Sequence, residues 1–594
     1  MKRKQEDFPM LGSEKMPLKT FWETVEQRLA ACSADELRAI LRAMAQEIPP
    51  TGRQTFLEKL KPVEETTITV KQAIEQEALL TDIDDLIQEL EATMKEADYW
   101  EERSEWDDHY DDEDSLGPYE EFVELLAGLF DRTEATFDYG HLPLARAAYQ
   151  KLFEAVNLED DYGRGVHASD LTGVDFDEAQ ARYLRAVYET EPSQGRAQAL
   201  FEQMQQVRSG LMRGRLMLED LIQISPQPLP DREQFLTDWI AFLRTRSGSN
   251  ADTWLREAVR LSQGTPGLAV LAQTEGQTRP RAYLDWFTAL EQEGQHRQVL
   301  RAAQEALQRL PAQLPIRAAI ADHLCTAAVK LNETEAWRAG RWAAFLAKPT
   351  LSRLLDLWDT APAGAERTAQ MRQAVQHVRD YLAHPPGRQS EVGWAGDDLE
   401  QPARIDPSVL AHACLLAEEL EAAHQLAAAE NVLGWSRSGN PQGLVMPSCL
   451  VLLSGRAPDA LPSNLAQLWA WGLQASVGFW GGGGQQDPVL KRLEQAYAEQ
   501  FARLSLSEDR QQEILAWCVD VAQRRVDAIV SGQHRGSYNK AAVVTTACTE
   551  VLRLRGDRPA ADSLLNEVRN RFPRHRAFQT ELKTAIQEME RSLR

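Results

Sequence analysis

Helix-length segments that pair through short turns are the feature that most constrains this chain. The two clearest pairs occupy residues 281–349. One pair turns at Glu293-Gly294 and stops at Pro311, and the next pair turns at Asn332 and stops at Pro349, 38 residues later. A hairpin of this length cannot bury its own apolar face, so it has to stack on its neighbours.

Apolar residues with helical spacing run through both pairs. The four stripes are Tyr283, Trp286, Phe287 and Leu290; Val299, Ala303, Leu307 and Leu310; Ile316, Ile320, Leu324 and Ala328; and Ala339, Trp342, Ala343 and Leu346. The small alanines allow two helix backbones to approach closely. The pattern predicts an all-α fold, an α-solenoid of stacked antiparallel helical hairpins with a small N-terminal helical unit. It resembles a tetratricopeptide-like array, although no unit keeps the Trp-Leu-Gly-Tyr order of that family.

Breaks in the helical pattern divide the chain into six parts. We predict a disordered leader at 1–16, a small helical unit at 17–61, an acidic helical region at 71–207, a helical-repeat array at 211–383, a linker at 384–406 and a C-terminal helical-repeat block at 407–594. Residues 62–70 read as a linker or one short strand, and residues 434–447 as a long loop. Capping boxes at Ser33-x-x-Glu36 and Thr51-x-x-Gln54 predict two helix starts.

Composition favours a cytoplasmic protein. No apolar run approaches the roughly 20 residues of a membrane span. The basic N-terminus is followed by polar and acidic residues, so a secretory signal is not expected. The six cysteines have no paired spacing and are predicted to be reduced and mostly buried.

Charge is distributed unevenly along the chain, whose net charge is −25. Residues 71–138 contain 24 acidic and four basic residues, whereas residues 521–594 contain 14 basic and eight acidic residues. Such asymmetry can guide the choice of partner or a head-to-tail contact. The alternative is that these charges only solvate an exposed face.

The acidic region also carries aromatic residues. The candidate partner-binding residues there are Tyr99, Trp100, Trp106, Asp107, Asp108, Tyr110, Asp111 and Asp112. Acidic groups beside exposed rings can dock a basic protein surface or mimic a nucleic-acid backbone. A solvated loop is the alternative. Calcium is not the expected ligand, because the spacing of a helix–loop–helix calcium site is absent.

Two segments near the C-terminus carry a second resemblance. They read His534-Arg535-Gly536-Ser537-Tyr538-Asn539-Lys540-Ala541-Ala542 and Arg576-Ala577-Phe578-Gln579-Thr580-Glu581-Leu582. Together they are similar to the C-terminal helical region of bacterial proteins that also carry a SWIM-type zinc finger. The resemblance implies a helical scaffold. The Cys-x-Cys and Cys-x-His pairs of the finger are absent from this sequence, so neither its zinc nor its nucleic-acid role carries over.

Motifs for catalysis or cofactor binding are absent from the sequence. It contains no nucleophile elbow, no His-Glu-x-x-His and no phosphate-binding glycine loop. His323-x-Cys325 and His412-x-Cys414 are the only close His/Cys pairs. Residues two apart point about 200° from each other on a helix, so neither pair can share a metal without help. We therefore expect no cofactor, no bound metal and no catalytic residue.

The sequence is best explained by a non-catalytic scaffold that binds a protein or peptide partner. The expected surfaces are the acidic region and the concave face of the helical stack. Arg535, Arg574 and Arg576 in the basic C-terminal stretch are further candidate contacts. A nucleic-acid-associated regulatory protein and an enzyme whose site assembles from distant residues remain as alternatives. The sequence predicts neither the partner's identity nor the oligomeric state.

Overall fold

A computed structural model describes residues 24, 27–28, 31–47, 65–101, 116–160, 162–206, 216–387, 399, 401–435, 439–477 and 488–593. Within these ranges the regular secondary structure consists of α-helices and short 3₁₀ helices, and no strand occurs. The all-α prediction is confirmed for this part of the chain. The chain divides into two units, Met1–Leu271 and Ala272–Arg594.

The first unit contains eight described helices and the start of a ninth. They are α1 (Ala34–Glu47), α2 (Glu65–Glu101), α3 (Glu120–Asp138), α4 (Leu142–Ala155), α5 (Phe176–Thr190), α6 (Arg196–Gln206), α7 (Leu218–Gln223), α8 (Arg232–Arg244) and α9 (Ser249–Glu275). The capping box at Ser33 and Glu36 forms at the start of α1, with the Ser33 amide donating to Glu36 at 2.7 Å. The second box, Thr51-x-x-Gln54, lies outside the described residues, as does the predicted leader.

The core of the first unit follows from its apolar stripes. On α2 the buried face consists of Leu79, Ile83, Leu86, Leu90 and Met94, which the helical spacing predicts. This face packs on α3 and α4. Helix α9 bends at Gly264, whose φ of 61° and ψ of −156° are not helical, two residues before Pro266.

The second unit contains fifteen described helices after the end of α9. They are α10 (Arg281–Gln292), α11 (His296–Arg309), α12 (Ile316–Leu331), α13 (Thr334–Ala347), α14 (Leu351–Thr360), α15 (Ala365–Ala383), α16 (Ser408–Leu416), α17 (Leu420–Ala428), α18 (Gln442–Ser454), α19 (Ser463–Val477), α20 (Pro488–Phe501), α21 (Glu508–Ser531), α22 (Tyr538–Leu554), α23 (Arg558–Arg571) and α24 (Arg576–Ser592). Consecutive helices pack on each other through most of this series.

The two hairpins that the sequence predicts most clearly are present. Helices α10 and α11 are joined by a turn at Gly294, whose φ is 72°, and α12 and α13 by a turn at Asn332, whose φ is 59°. Both residues take the left-handed conformation that ends helices. Gly340 on α13 comes so close to α12 that a Cβ there would lie 2.6 Å from the Cys325 sulfur. Small residues therefore do permit close helix contact here.

Polar contacts tie the alternate helices α10, α12 and α14 together. His323 on α12 lies 2.8 Å from the Glu291 carboxylate on α10. Arg353 on α14 donates two hydrogen bonds, of 2.9 and 2.7 Å, to Asp322 on α12. Each pair of side chains thus links one hairpin to the next along the chain.

Two local predictions are wrong. Residues 65–70, read as a linker or strand, belong to α2, because β-branched residues cost a helix only a few tenths of a kcal/mol each. The predicted loop at residues 434–447 ends earlier, since α18 begins at Gln442 and contains Pro447. The missing amide of Pro447 leaves the carbonyl of Gly443 without its helical donor. Gly472 on α19 packs directly against that carbonyl.

Within the described part of the chain, none of the helices combines the length and the apolar content that crossing a bilayer requires.

Candidate functional site

The two C-terminal segments that carry the family resemblance come together in the structure. Helices α22 and α24 pack on each other, and both start at the same end. The ring of Tyr538, the first residue of α22, lies 6.0 Å from the ring of Phe578 near the start of α24. Phe572, at the end of α23, lies 5.8 Å from Phe578. All three rings are buried, so they fix the two turns beside each other.

Basic residues lie close in sequence to these buried rings, at the starts of α22 and α24 and at the end of α23, and we call this group the basic end. It consists of Arg535, Lys540, Arg569, Arg574 and Arg576. Residues 528–549 and 568–580, which form this end, contain six lysines and arginines and no acidic residue. Three of these residues, Arg535, Arg574 and Arg576, are predicted from the sequence as partner contacts; they are exposed and lie next to the starts of α22 and α24, and their role in binding stays a prediction.

Exposure and pairing distinguish the basic end from the other C-terminal arginines. Arg535, Arg574 and Arg576 are exposed, and none of them forms an ion pair with a described carboxylate. Arg571 is neutralised by Asp527 at 2.5 Å. Outside this end, the remaining charged pairs are Arg524 with Asp520, Arg553 with Asp562 and Arg555 with Glu508. Arg558, Lys583 and Arg591 are also exposed, but each lies at a separate point of the chain, whereas the basic end groups several such residues at adjoining helix ends.

Backbone dipoles add to this positive field. Ser537 precedes α22 and His575 precedes α24, and neither side chain caps the first turn of its helix. The first amides of a helix have no partner within the helix and carry a partial positive charge. The starts of α22 and α24 adjoin at the rings of Tyr538 and Phe578, and farther along both helices Asn464 bonds to Glu550 of α22 and to Ala585 of α24, so the two helices run in the same direction. In the first turn of α22 the Lys540 amide donates to the Asn539 side chain.

Lys540 and Arg569 complete the basic end and are not among the contacts predicted from the sequence. Lys540 is half-buried in the first turn of α22, and Arg569 is exposed in the last turn of α23. The alternation of helix directions would have identified them. In a series of antiparallel hairpins, the start of every second helix lies at the same end, together with the finish of the helix between them.

The chemistry of the basic end suits carboxylates and phosphates. A guanidinium presents planar donors that form paired hydrogen bonds with either group. It also stacks on aromatic rings. Exposed arginines with no carboxylate of their own do not have to break an ion pair before they bind such a ligand.

The candidate residues of the acidic region cannot be placed in the same way. Tyr99 and Trp100 belong to the last turn of α2, but their side chains are not among those that the structure describes. Trp106, Asp107, Asp108, Tyr110, Asp111 and Asp112 lie outside the described residues. Their role in binding stays a prediction.

The His/Cys pairs of the sequence face different neighbours. His323 contacts Glu291 on α10, whereas the Cys325 thiol points at the carbonyl of Trp337 at 3.5 Å. His412 is fully buried, contacts the Tyr497 hydroxyl at 2.8 Å, and burial lowers its pKa to about 3. Among the described residues, no group of three His, Cys, Asp or Glu side chains converges as a metal site would require.

A comparison with known protein families and with curated proteins found no family model and no curated sequence that matches this chain. The similarity to SWIM-associated helical regions therefore stays a prediction. The case for the basic end depends on its own geometry and charge.

Proposed function

We propose that this protein is a non-catalytic interaction scaffold whose C-terminal unit binds an acidic segment of a partner protein at the basic end. The observation that carries the proposal is the concentration of exposed, unpaired arginines at the adjoining starts of α22 and α24. On a chain with a net charge of −25, a local group of arginines is suited to attract an acidic ligand.

The scaffold itself is proposed to be an α-solenoid of tetratricopeptide-like hairpins. The support is the chain of contacts in which α10 packs on α11 and α12, and α12 packs on α11 and α13. The Glu291–His323 and Asp322–Arg353 contacts extend this order to α14. In repeat proteins such order produces a long surface built from exposed side chains.

A binding measurement tests the proposed function. The probe is a fluorescent peptide of alternating glutamate and tyrosine, and the variant carries Arg535→Glu, Arg574→Glu and Arg576→Glu. We expect the unmodified protein to bind the peptide and the variant to bind at least about tenfold more weakly, since three exposed charge contacts of up to about 1 kcal/mol each are lost.

The matched control places the same three charge reversals elsewhere on the second unit. Arg297, Arg301 and Arg338 are exposed on α11 and α13 and form no ion pair with a described carboxylate. Replacing them by glutamate should leave peptide binding within about twofold of the unmodified protein if distant charges are screened. Equal losses in the two variants would show that only net charge matters and would contradict a defined surface.

Nucleic acid is the second candidate ligand, because phosphates fit the same guanidinium groups. A labelled single-stranded oligonucleotide in the same assay distinguishes the two. Tighter binding of the oligonucleotide than of the acidic peptide, lost in the Arg535, Arg574 and Arg576 variant, would replace the proposed protein partner by a nucleic acid.

A further inference from the structure

The ligand that the basic end requires has the chemistry of a segment present in this same chain. Residues 102–115 contain eight acidic residues and a single arginine. Trp106 and Tyr110 are spaced among these carboxylates. Arginine pairs with carboxylates and stacks on aromatic rings, so both features of the segment complement the basic end.

We propose that the acidic segment of one copy, residues 102–115, binds the basic end of a second copy. The inference rests on the proposed function, since it names the acidic partner of that surface. Arg535, Arg574 and Arg576 supply the exposed cations, and Asp107, Asp108, Asp111 and Asp112 supply carboxylates. The argument for this occupant is charge complementarity within one sequence.

The proposed contact is heterologous, because two different surfaces meet. Each bound pair of copies leaves one acidic segment and one basic end free. Such head-to-tail association continues into open chains unless the geometry closes a ring. The mean mass of the protein should therefore rise steadily with concentration instead of levelling off at a dimer.

The salt concentration at which association is measured matters for the test. Two copies that each carry −25 repel each other at very low ionic strength. At about 0.1 M salt the screening length is about 10 Å, which weakens this long-range repulsion but preserves direct contacts. Association should thus be measured near that concentration, and should be lost at about 0.5 M salt, where exposed ion pairs are screened.

Two variants, each unable to associate with itself, test the proposal. Variant A carries Asp107→Asn, Asp108→Asn, Asp111→Asn and Asp112→Asn and keeps its basic end. Variant B carries Arg535→Glu, Arg574→Glu and Arg576→Glu and keeps its acidic segment. In sedimentation velocity we expect each variant alone to be monomeric. An equal mixture should form a one-to-one complex that grows no further, because each A–B pair has one functional basic end, on A, and one functional acidic segment, on B.

The outcomes separate this inference from the proposed function. Unmodified protein that remains monomeric at all concentrations, or a mixture of A and B that forms no complex, overturns the head-to-tail contact. If the glutamate–tyrosine peptide still binds variant A in that case, the basic end binds acidic partners but not the segment of a second copy. If variant B associates with itself as strongly as the unmodified protein, the basic end takes no part in association.

Discussion

At the scale of single residues, two buried glutamates act as caps for helices far away in sequence. Glu257 on α9 accepts the Leu218 and Glu219 amides at the start of α7, at 2.9 and 2.8 Å. Glu550 on α22 accepts the Leu465 amide at the start of α19, at 2.8 Å. Each glutamate is almost fully buried, so the helix amides supply hydrogen bonds that water would otherwise provide.

Burial of Glu257 predicts a dependence of stability on pH. Burial raises its pKa from 4.5 to about 7. A carboxyl whose pKa is higher in the folded state contributes stability below its unfolded pKa, and this contribution is lost as the pH rises through the folded value. Between pH 4.5 and 7, the unmodified protein should lose on the order of 2–3 kcal/mol relative to Glu257→Gln, which cannot titrate.

The measurement is chemical unfolding of both proteins across that pH range. Glu233→Gln, which changes an exposed carboxylate on α8, serves as the control. A difference between the Glu257 variant and the unmodified protein that stays constant with pH would show that Glu257 does not titrate in this window.

The cysteines provide a second prediction at this scale. Five of the six are buried and Cys32 is partly accessible, which confirms the prediction of mostly buried thiols. Burial raises the pKa of Cys325 to about 11 and those of Cys414 and Cys548 to about 12. Because the thiolate is the reactive form, a thiol reagent should titrate one group in the native protein and six after unfolding.

Replacing Cys32 by serine should abolish the fast thiol reaction of the native protein. Several fast groups in that variant would mean that the helices around the buried cysteines open readily.

At the scale of elements, the close approach of α18 and α19 predicts a steric limit. A Cβ on Gly472 would lie 2.8 Å from the Gly443 carbonyl oxygen, which is backbone and cannot rotate away. We expect Gly472→Ala to destabilise the protein by about 1–3 kcal/mol. Gly128, on an exposed face of α3, has nothing within 4 Å. Gly128→Ala should instead stabilise by about 0.5–1 kcal/mol, because alanine favours a helix.

Thermal unfolding of the two variants measures both effects. Equal melting temperatures for Gly472→Ala and the unmodified protein would show that α18 and α19 accommodate a methyl group at their crossing without loss of stability.

The elements show what the sequence could and could not predict. The hairpins from α10 to α13 could be predicted because turns at Gly294 and Asn332 separate clear apolar stripes. The course of α18 could not, because Pro447 is normally a sign of a helix end and is tolerated here by contact with α19. The basic arginines could be read from the sequence. The adjoining starts of α22 and α24, beside which these arginines lie, could not be read in the same way, because no local pattern reports which helices run in parallel.

At the scale of the whole molecule, the proposed binding site for an acidic partner is a surface, the basic end, and not a cavity. The basic end combines five cationic side chains with two helix starts. Such contacts are weak one by one, so affinity depends on several acting together. We expect the affinity for the acidic peptide to fall steeply as salt rises from about 0.05 to 0.5 M. An affinity that is insensitive to salt would indicate apolar binding elsewhere.

Hydrogen exchange with and without the acidic peptide tests the central claim most directly. Neither Ser537 nor His575 caps the helix that follows it, and in the first turn of α22 the Lys540 amide donates to the Asn539 side chain at 2.8 Å. The other first-turn amides of α22 and α24 should exchange rapidly in the free protein. The account predicts that the peptide slows exchange in residues 532–540 and 572–580, and that Arg535→Glu with Arg574→Glu and Arg576→Glu removes the effect. Protection confined to the helices between residues 281 and 347, with none at these two segments, would contradict it.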